Sequence, residues 1–505
     1  MNPRISYRWT VRHRARVTGL LSLALITNSL TADPSQAALV DAVEKNNPTV
    51  IAGAWAEDVD VNASQVDGMT ALHWAVYHDN TATALELLAR GANASAENRY
   101  GIQPLYLACL NGNAGLVKAL LEKGADANAS IDGGETVLMT ASRTGSMESV
   151  IALLKAGADV NGTERKGQSA IMWAAAEGRS DVVQTLVDAG ADFKTPLERS
   201  GFTPFLFAVR QGHTETVRVL LNAGAELNGA TKASTRGRLP KRGTSPLLMA
   251  VENGHYDLAV ELLDAGADPN DARSGFTILH SLTWIRKPDI GESSAGDPKP
   301  QGSGQRTSLD FVREIVSRGA DVNARLERGR KAGRGHVSTI GATPLFLAAD
   351  RADLAYMQLL VELGADPLIP NKDGTTPLLV AAGIGSTAPE EEAGSEAECL
   401  AAAKYLVSLG AEIDTVDANG ETAMHGAAYK NIPSMVHYLN ELGADISLWN
   451  AKNKLGWTPL LIAEGYRPGN FKPSFATAEA ITQVMLANGV KPPSGPKPKH
   501  TNYAD

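Results

Sequence analysis

The chain is predicted to be all-α, a solenoid of about twelve helix-turn-helix repeats that carry β-hairpin fingers. Three observations lead there. A short phrase recurs eleven times, from Gly68-Met-Thr-Ala-Leu-His73 to Gly456-Trp-Thr-Pro-Leu-Leu461. Its first four Thr-equivalent positions, Thr70, Gln103, Thr136 and Ser169, are each 33 residues apart. A second phrase, Gly-Ala-Asp or a close variant, follows 21 residues after the Thr position in most copies, as at Gly91, Gly124, Gly157, Gly190, Gly224, Gly266 and Gly443. A unit of that size cannot bury its apolar face alone, so neighbours must stack.

Each part of the phrase has a physical reason. Thr or Ser suits the cap of the first helix, and Pro at the next position suits its first turn. Leu72 and Ala75, or Leu105 and Ala108, place medium and small apolar groups where helices pack closely. Pairs such as Leu87-Leu88 and Leu120-Leu121 end the second helix against the core. Gly91 and its equivalents supply the left-handed residue that stops that helix. The segment after it, such as Asp159-Val-Asn161, opens a finger.

The period and the Thr-Pro-Leu-His phrase resemble the ankyrin repeat. The resemblance covers roughly residues 38–489, with interruptions. The wider pattern is similar to long exported bacterial ankyrin-repeat proteins. It implies a protein-binding scaffold and no catalysis. His73, His280 and His425 sit at the Thr-x-x-His position, where the resemblance implies a structural imidazole bonded to nearby backbone or Thr.

The ends differ from the middle. Arg4, Arg8, Arg12, Arg14 and Arg16 make a basic start, Val17 to Leu30 is mostly apolar, and Ser35-Gln36-Ala37 gives small-x-small. That order is read as a secretory signal peptide, residues 1–37, with cleavage after Ala37 and a periplasmic or secreted product. The apolar run is short of the roughly 20 residues of a membrane span. Retention as an anchor is the other outcome. Residues 38–66 are read as an amino-terminal cap, and 490–505, with four prolines, as a loose tail. Without residues 1–37 the chain keeps 42 basic and 55 acidic residues, a net charge of −13. Such a protein is a poor general nucleic-acid binder. Cys109 and Cys399 are expected to be separate buried thiols, because seven repeats between them put a disulfide out of reach.

Four insertions break the repeat, near 229–242, 286–307, 324–340 and 385–398. The first finger insertion carries Lys232, Arg236, Arg238, Lys241 and Arg242. The second carries Arg325, Arg328, Arg330, Lys331 and Arg334. Together they are expected to form one basic lip, unless each is merely solvated. Residues 286–307 are rich in Pro, Gly and Ser. The last insertion carries Glu390, Glu391, Glu392, Glu396 and Glu398. It leaves from the opposite end of the helices and is expected not simply to neutralise the basic fingers.

No metal-ligand motif, phosphate loop or nucleophile-base arrangement stands out, so no catalytic, cofactor or metal site is assigned. Four Asn-x-Ser/Thr tripeptides begin at Asn62, Asn93, Asn128 and Asn161, but their spacing follows the repeat. Ankyrin-type binding uses finger tips and the end of the first helix on the concave face. The resemblance therefore implies Tyr77, His78, Arg99, Tyr100, Arg143, Arg210, Tyr429 and Lys430 as partner-binding positions. The basic fingers add Arg236, Arg238, Lys241, Arg242, Arg328, Arg330, Lys331 and Arg334. The functional expectation is an exported, monomeric scaffold for a protein partner, one that supports an exported enzyme. The alternative is a polyanion binder, for nucleic acid or an acidic glycan, that works through the basic fingers.

Overall fold

The computed structural model describes residues 34–55, 59–232, 242–291, 300–331, 337–466 and 473–493. The expected signal segment up to residue 33, the finger residues Arg236, Arg238, Lys241 and Arg334, and most of the proline-rich tail lie outside the described residues. The chain divides into two compact units, one ending at Arg242 and one beginning at Gly243.

Each unit holds six helix pairs among its described residues. In the first unit they run from Pro34–Glu44 with Pro48–Ala54 to Pro204–Gln211 with Thr214–Asn222. In the second they run from Pro246–Glu252 with Tyr256–Asp264 to Pro459–Ala463 with Phe475–Ala487. Twelve pairs match the expected repeat number. The first helix among the described residues begins at Pro34 and passes through Ala38, where the cap was expected to open.

The capping chemistry appears as anticipated. Thr203, Thr343 and Thr376 accept from the backbone N–H three residues on, and Pro204, Pro344 and Pro377 open the helices behind them. Gln103 and Ser169 occupy the same position without a side-chain cap. The core is made of the first-helix Leu and Ala residues and the second-helix apolar pairs; Leu72, Ala75, Leu87, Leu105 and Leu120 are all fully buried.

The fingers are turns more than strands. Among the described residues only three isolated bridges form, Ser64 to Thr70, Ser130 to Thr136 and Thr163 to Ser169. A standard finger is too short for a ladder, since Gln65 N–H donates to Met69 O at 2.9 Å and the turn closes at once by Gly68 N–H to Gln65 O at 2.9 Å. Gly68 has φ +85°, and a Cβ there would lie 2.9 Å from Asn98 Cα of the next finger. Both facts restrict the position to glycine.

Stacking is fixed by polar clamps as well as by the core. Asn128 Nδ2 donates to Gly157 O at 3.2 Å and its Oδ1 accepts from Asp159 N–H at 2.7 Å. Asn161 repeats this with Gly190 and Asp192, and Asn270 with Gly319 and Asp321. The Asn of the Gly-Ala-Asp-x-Asn phrase therefore joins one finger to the next. Asn62, Asn128 and Asn161 of the glycan-like tripeptides spend both ends of the amide on this task.

Candidate partner-binding face

One side of the first helices carries the residues found four and seven positions after the Thr-equivalent position; in the first unit the former are buried, Phe207 excepted, and the latter are half-buried. In the first unit these are Trp74 and Tyr77, Leu107 and Leu110, Thr140 and Arg143, Trp173 and Ala176, and Phe207 and Arg210. Trp74, Tyr77 and His78 form one aromatic cluster. The Trp74 and Tyr77 rings meet edge-on at 5.6 Å, and His78 stacks on Trp74 at 6.0 Å. His78 Nε2 donates to Glu44 O at 2.7 Å, which ties the cluster to the helix Pro34–Glu44. Trp74 Nε1 donates to Gln65 Oε1 at 2.9 Å, so the finger is held to the same cluster.

The arginines lie flat on aromatic rings. The Arg143 guanidinium sits 4.9 Å from the Trp173 ring centroid of the next repeat. Arg210 lies 5.3 Å from the Phe202 ring and 6.0 Å from Phe207. Arg99 lies over Tyr100 at the tip of its finger at 5.5 Å. Such stacking holds a guanidinium in place, and burial lowers the Arg210 guanidinium from its ordinary value. Arg143 also meets Glu135 Oε1 at 3.5 Å, and Glu135 accepts from Thr140 Oγ1 at 2.9 Å. Burial pushes the Tyr106 hydroxyl beside Glu135 well up from its ordinary value.

The second unit is different, and two expected positions are corrected there. Tyr429 is 1% exposed and Lys430 is 8% exposed, so neither is a surface anchor. The Tyr429 hydroxyl donates to Glu421 Oε1 at 2.9 Å, and Asn453 Nδ2 reaches both groups at 3.0 Å. Burial, with the Asp417 charge nearby, pushes the Glu421 carboxyl up to about 7. Lys430 Nζ donates to Ala393 O at 2.6 Å. Residue 393 belongs to the acidic insertion, which therefore folds over this helix end.

The insertion is built in, not loose. Glu392 Oε1 accepts from Thr387 N–H at 2.9 Å and Ala388 N–H at 3.1 Å. Gly291 N–H donates to Glu391 O at 2.8 Å, and Glu398 pairs with Lys287 at 2.8 Å. The insertion also packs against the base of the basic finger. A Cβ on Gly385 would lie 3.0 Å from Val337, a finger residue that is 4% exposed. Asp350, seven residues after its cap Thr343, lies under both segments. Burial pushes its carboxyl up, while Lys430, Arg351 and Arg330 draw it down and Glu392 pushes it up.

The basic finger is ordered at its base. Leu326 pairs with Gly341 and Ala342, and Thr339 N–H donates to Arg330 O at 2.9 Å. Arg325 is spent on Gly341 O at 3.0 Å and Pro370 O at 2.7 Å. Arg328, Arg330 and Lys331 are exposed, as is Arg242 in the first unit.

The expected structural histidines are fully buried. Thr70 N–H donates to His73 Nδ1 at 3.1 Å, so the proton is on Nε2, which donates to Ile102 O at 3.0 Å. His280 does the same with Thr277 and Ala342. Burial holds His280 and His425 down to about 4 and lowers His73 as well. Cys109 and Cys399 are both free and buried, and burial raises both thiols.

Sequence reasoning missed Trp74, Trp173, Phe207, Glu135 and Asp350. An aromatic residue four positions after the cap was visible at three repeats, and would have found the first three.

Ankyrin-repeat models match residues 39–131, 128–197 and 195–273, a single repeat at 340–372, and a further set at 392–439. The chain belongs to the ankyrin-repeat family. Ankyrin repeat domain-containing protein 63 of Homo sapiens is 33% identical over 129 residues, which is 26% of this chain and 28% of that protein. Inversin of Canis lupus familiaris is 29% identical over 147 residues, covering 29% of this chain and 12% of its own. The 2-5A-dependent ribonuclease of Homo sapiens is 34% identical over 82 residues, 16% of this chain and 10% of that one. The crystal structure of the human ASB11 ankyrin repeat domain covers 53% of this chain and all of that chain, at 22% identity and a TM-score of 0.41. The matches span only 13% and 28% of the length of the first two of these curated relatives, the former being a Caenorhabditis elegans ankyrin repeat and LEM domain-containing protein homolog. Ankyrin-repeat proteins are typically scaffolds and not enzymes. Among the described residues no helix is long and apolar enough to cross a membrane.

Proposed function

We propose that this ankyrin-repeat protein is an exported scaffold whose first unit holds a protein partner and supports an exported enzyme. The observation that carries the reading is the row of Trp74, Tyr77, Arg143, Trp173 and Arg210 along one face of successive first helices. Trp, Tyr and Arg are the side chains that most often anchor protein interfaces. Support for export comes from the order of residues 1–37, basic, then apolar, then small-x-small. The mature protein works in the periplasm or outside the cell as a monomer.

The test is capture from a periplasmic extract of the source cell with the full chain as bait, beside a Tyr77→Ser, Arg210→Glu variant. A protein held by the first and lost from the second is the expected result. Equal capture by both would move the docking face elsewhere. Fusion of residues 1–37 to an enzyme that is active only after export reads the signal directly. A second reading, polyanion binding, is favoured by the exposed Arg328, Arg330 and Lys331 of the basic finger. It predicts heparin binding that falls steeply with salt and is lost on changing Arg328 and Lys331 to Ser.

A further inference from the structure

Residues 386–394, within the acidic insertion, are closed by their own bonds. Glu392 Oε1 accepts from the N–H groups of Thr387 and Ala388, and the N–H groups of Glu391 and Glu392 donate to Ala388 O at 2.9 and 3.1 Å. A loop packed on itself in this way keeps its shape when it moves. Glycines stand at both ends. Gly383 and Gly385 have φ +113° and +91°, and Gly394 has φ +91°. Such positions suit the hinges of a lid. The loop is tied outward by Lys430 Nζ on Ala393 O at 2.6 Å, by Ala393 N–H on Asp289 Oδ1 at 3.3 Å and by Gly291 N–H on Glu391 O at 2.8 Å.

The surface beneath is not a finished core. A Cβ on Gly394 would lie 3.1 Å from Ala352 Cβ, and one on Gly383 would lie 2.5 Å from Lys430 Cβ, so the loop is pressed onto two helix ends. Asp350 ends one of them, half-buried, and among the described residues its carboxylate has neither a hydrogen bond nor an ion pair. The charges that face it are Lys430 from the next helix end, Arg351 beside it, Arg330 of the basic finger and Glu392 of the loop itself. Lys430 is turned to Ala393 O, and Arg351 is held by Asp289 at 3.0 Å. Ser386 Oγ, in a residue 5% exposed, is buried without a partner among the described residues. Polar groups left unsatisfied under a cover are a cost that a permanently closed structure ordinarily removes.

We propose that residues 386–394 are a lid over the first-helix ends of the second unit, latched by Lys430 and opened when Asp350 beneath it is charged. Opening uncovers Asp350 and Lys430, seven and eight places after their caps, the register that Tyr77 and His78 hold in the first unit. The lid stands apart from the scaffold reading above, and only the use made of the uncovered face rests on that reading. The sign follows from the closed geometry. Burial pushes the Asp350 carboxyl up, Glu392 adds to this, and Lys430, Arg351 and Arg330 oppose it. Closure is therefore fully supported below the ordinary carboxylate value of 3.8 and loses support as pH rises through the higher closed-state value. Beyond that point one proton changes the ratio of closed to open lid by at most about tenfold per pH unit.

The test is amide hydrogen exchange on the full chain from about pH 4.5 to about pH 8.5, corrected for the intrinsic rate and read on peptides of 386–394 beside the helix Pro344–Asp350. Lid protection should fall by about fivefold or more as pH rises, and by more than that of the helix. Asp350→Asn should remove the fall. Glu392→Gln, which keeps the acceptor for Thr387 and Ala388 but not the charge, should make it smaller. Glu421→Gln, a titrating neighbour outside the lid, should leave it as it is. Lid peptides that exchange no faster than the helix at any pH would overturn the proposal, because the loop then opens only with the whole unit. So would a full fall kept by Asp350→Asn, or by Glu392→Gln where Asp350→Asn does not fold. Loss of the fall in Glu421→Gln would overturn it too, by moving the source elsewhere. Failure of the capture experiment above would leave the exchange result standing, so the lid and the scaffold reading fall separately.

Discussion

Acidification should loosen the second unit by an amount that single substitutions can take apart. His280 and His425 are buried neutral, with folded-state values of about 4 against an ordinary 6.5. Above pH 6.5 both folded and unfolded chains keep these rings neutral, and the contribution is fully present. As pH falls toward 4 only the unfolded chain gains the protons, so stability is lost. At pH 5 the loss is about 2 kcal/mol for each ring. Glu421 has the opposite sign. Its folded value of about 7 lies above the ordinary 4.5, so its contribution is complete below 4.5 and disappears as pH rises through 7. Between pH 7.5 and 5 it returns about 2 kcal/mol. The three groups together predict a net loss of about 2 kcal/mol over that interval. Native-state hydrogen exchange, read on peptides around residues 275–290 and 415–430, separates this unit from the rest. His280→Gln should abolish most of the net loss, because glutamine can accept from Thr277 N–H without titrating. Glu421→Gln should roughly double the loss. If His280→Gln keeps the full acid sensitivity of the parent while remaining folded, the buried neutral ring is not its source and the argument fails.

Three further outcomes follow from single contacts. Asn128→Ala removes both clamp bonds to the next repeat and should cost about 1–2 kcal/mol in urea denaturation. Arg286→Ala breaks a nearly buried bidentate pair with Asp353, at 2.9 and 3.1 Å, and should cost about 3–5 kcal/mol, seen as faster exchange in helix Leu354–Glu362 that Asp353 caps. Lys430→Met removes the donor to Ala393 O and should raise proteolytic nicking within 385–395 severalfold, with the helices still folded by circular dichroism.

The repeat was legible because it is local. Capping Thr, first-turn Pro and the helix-stopping Gly all act within a few residues, so Thr203-Pro204 or Gly124 can be read without knowing the neighbours. The stacking core follows from the same phrase. The clamps made by Asn128 and Asn161 were visible as a spacing, but were read as glycan-like tripeptides, since their partners lie 29 and 31 residues onward. Tyr429 and Lys430 were placed on the surface by their register alone. Register does not reveal that Asn453 arrives from the following loop or that residue 393 is brought back over the helix end. Likewise Arg286 and Asp353 are 67 residues apart, and only the folded chain shows them as a pair. The insertions had no internal period to announce where they would pack.

A solenoid whose repeats touch only their neighbours can vary one face repeat by repeat while the core stays the same. The buried positions support this here: Leu72, Leu105, Leu138, Leu247, Leu279, Leu345 and Leu378 fill one register in both units, each no more than 1% exposed. The face seven residues after the cap has no such constraint, and it changes from Tyr77 and Arg143 to Asp350 and the enclosed Tyr429. Where the chain covers this face with its own insertions, charge is matched internally through Lys430, Arg330 and Glu392. In the first unit the same face carries arginines laid on aromatic rings, with Arg143 also against Glu135.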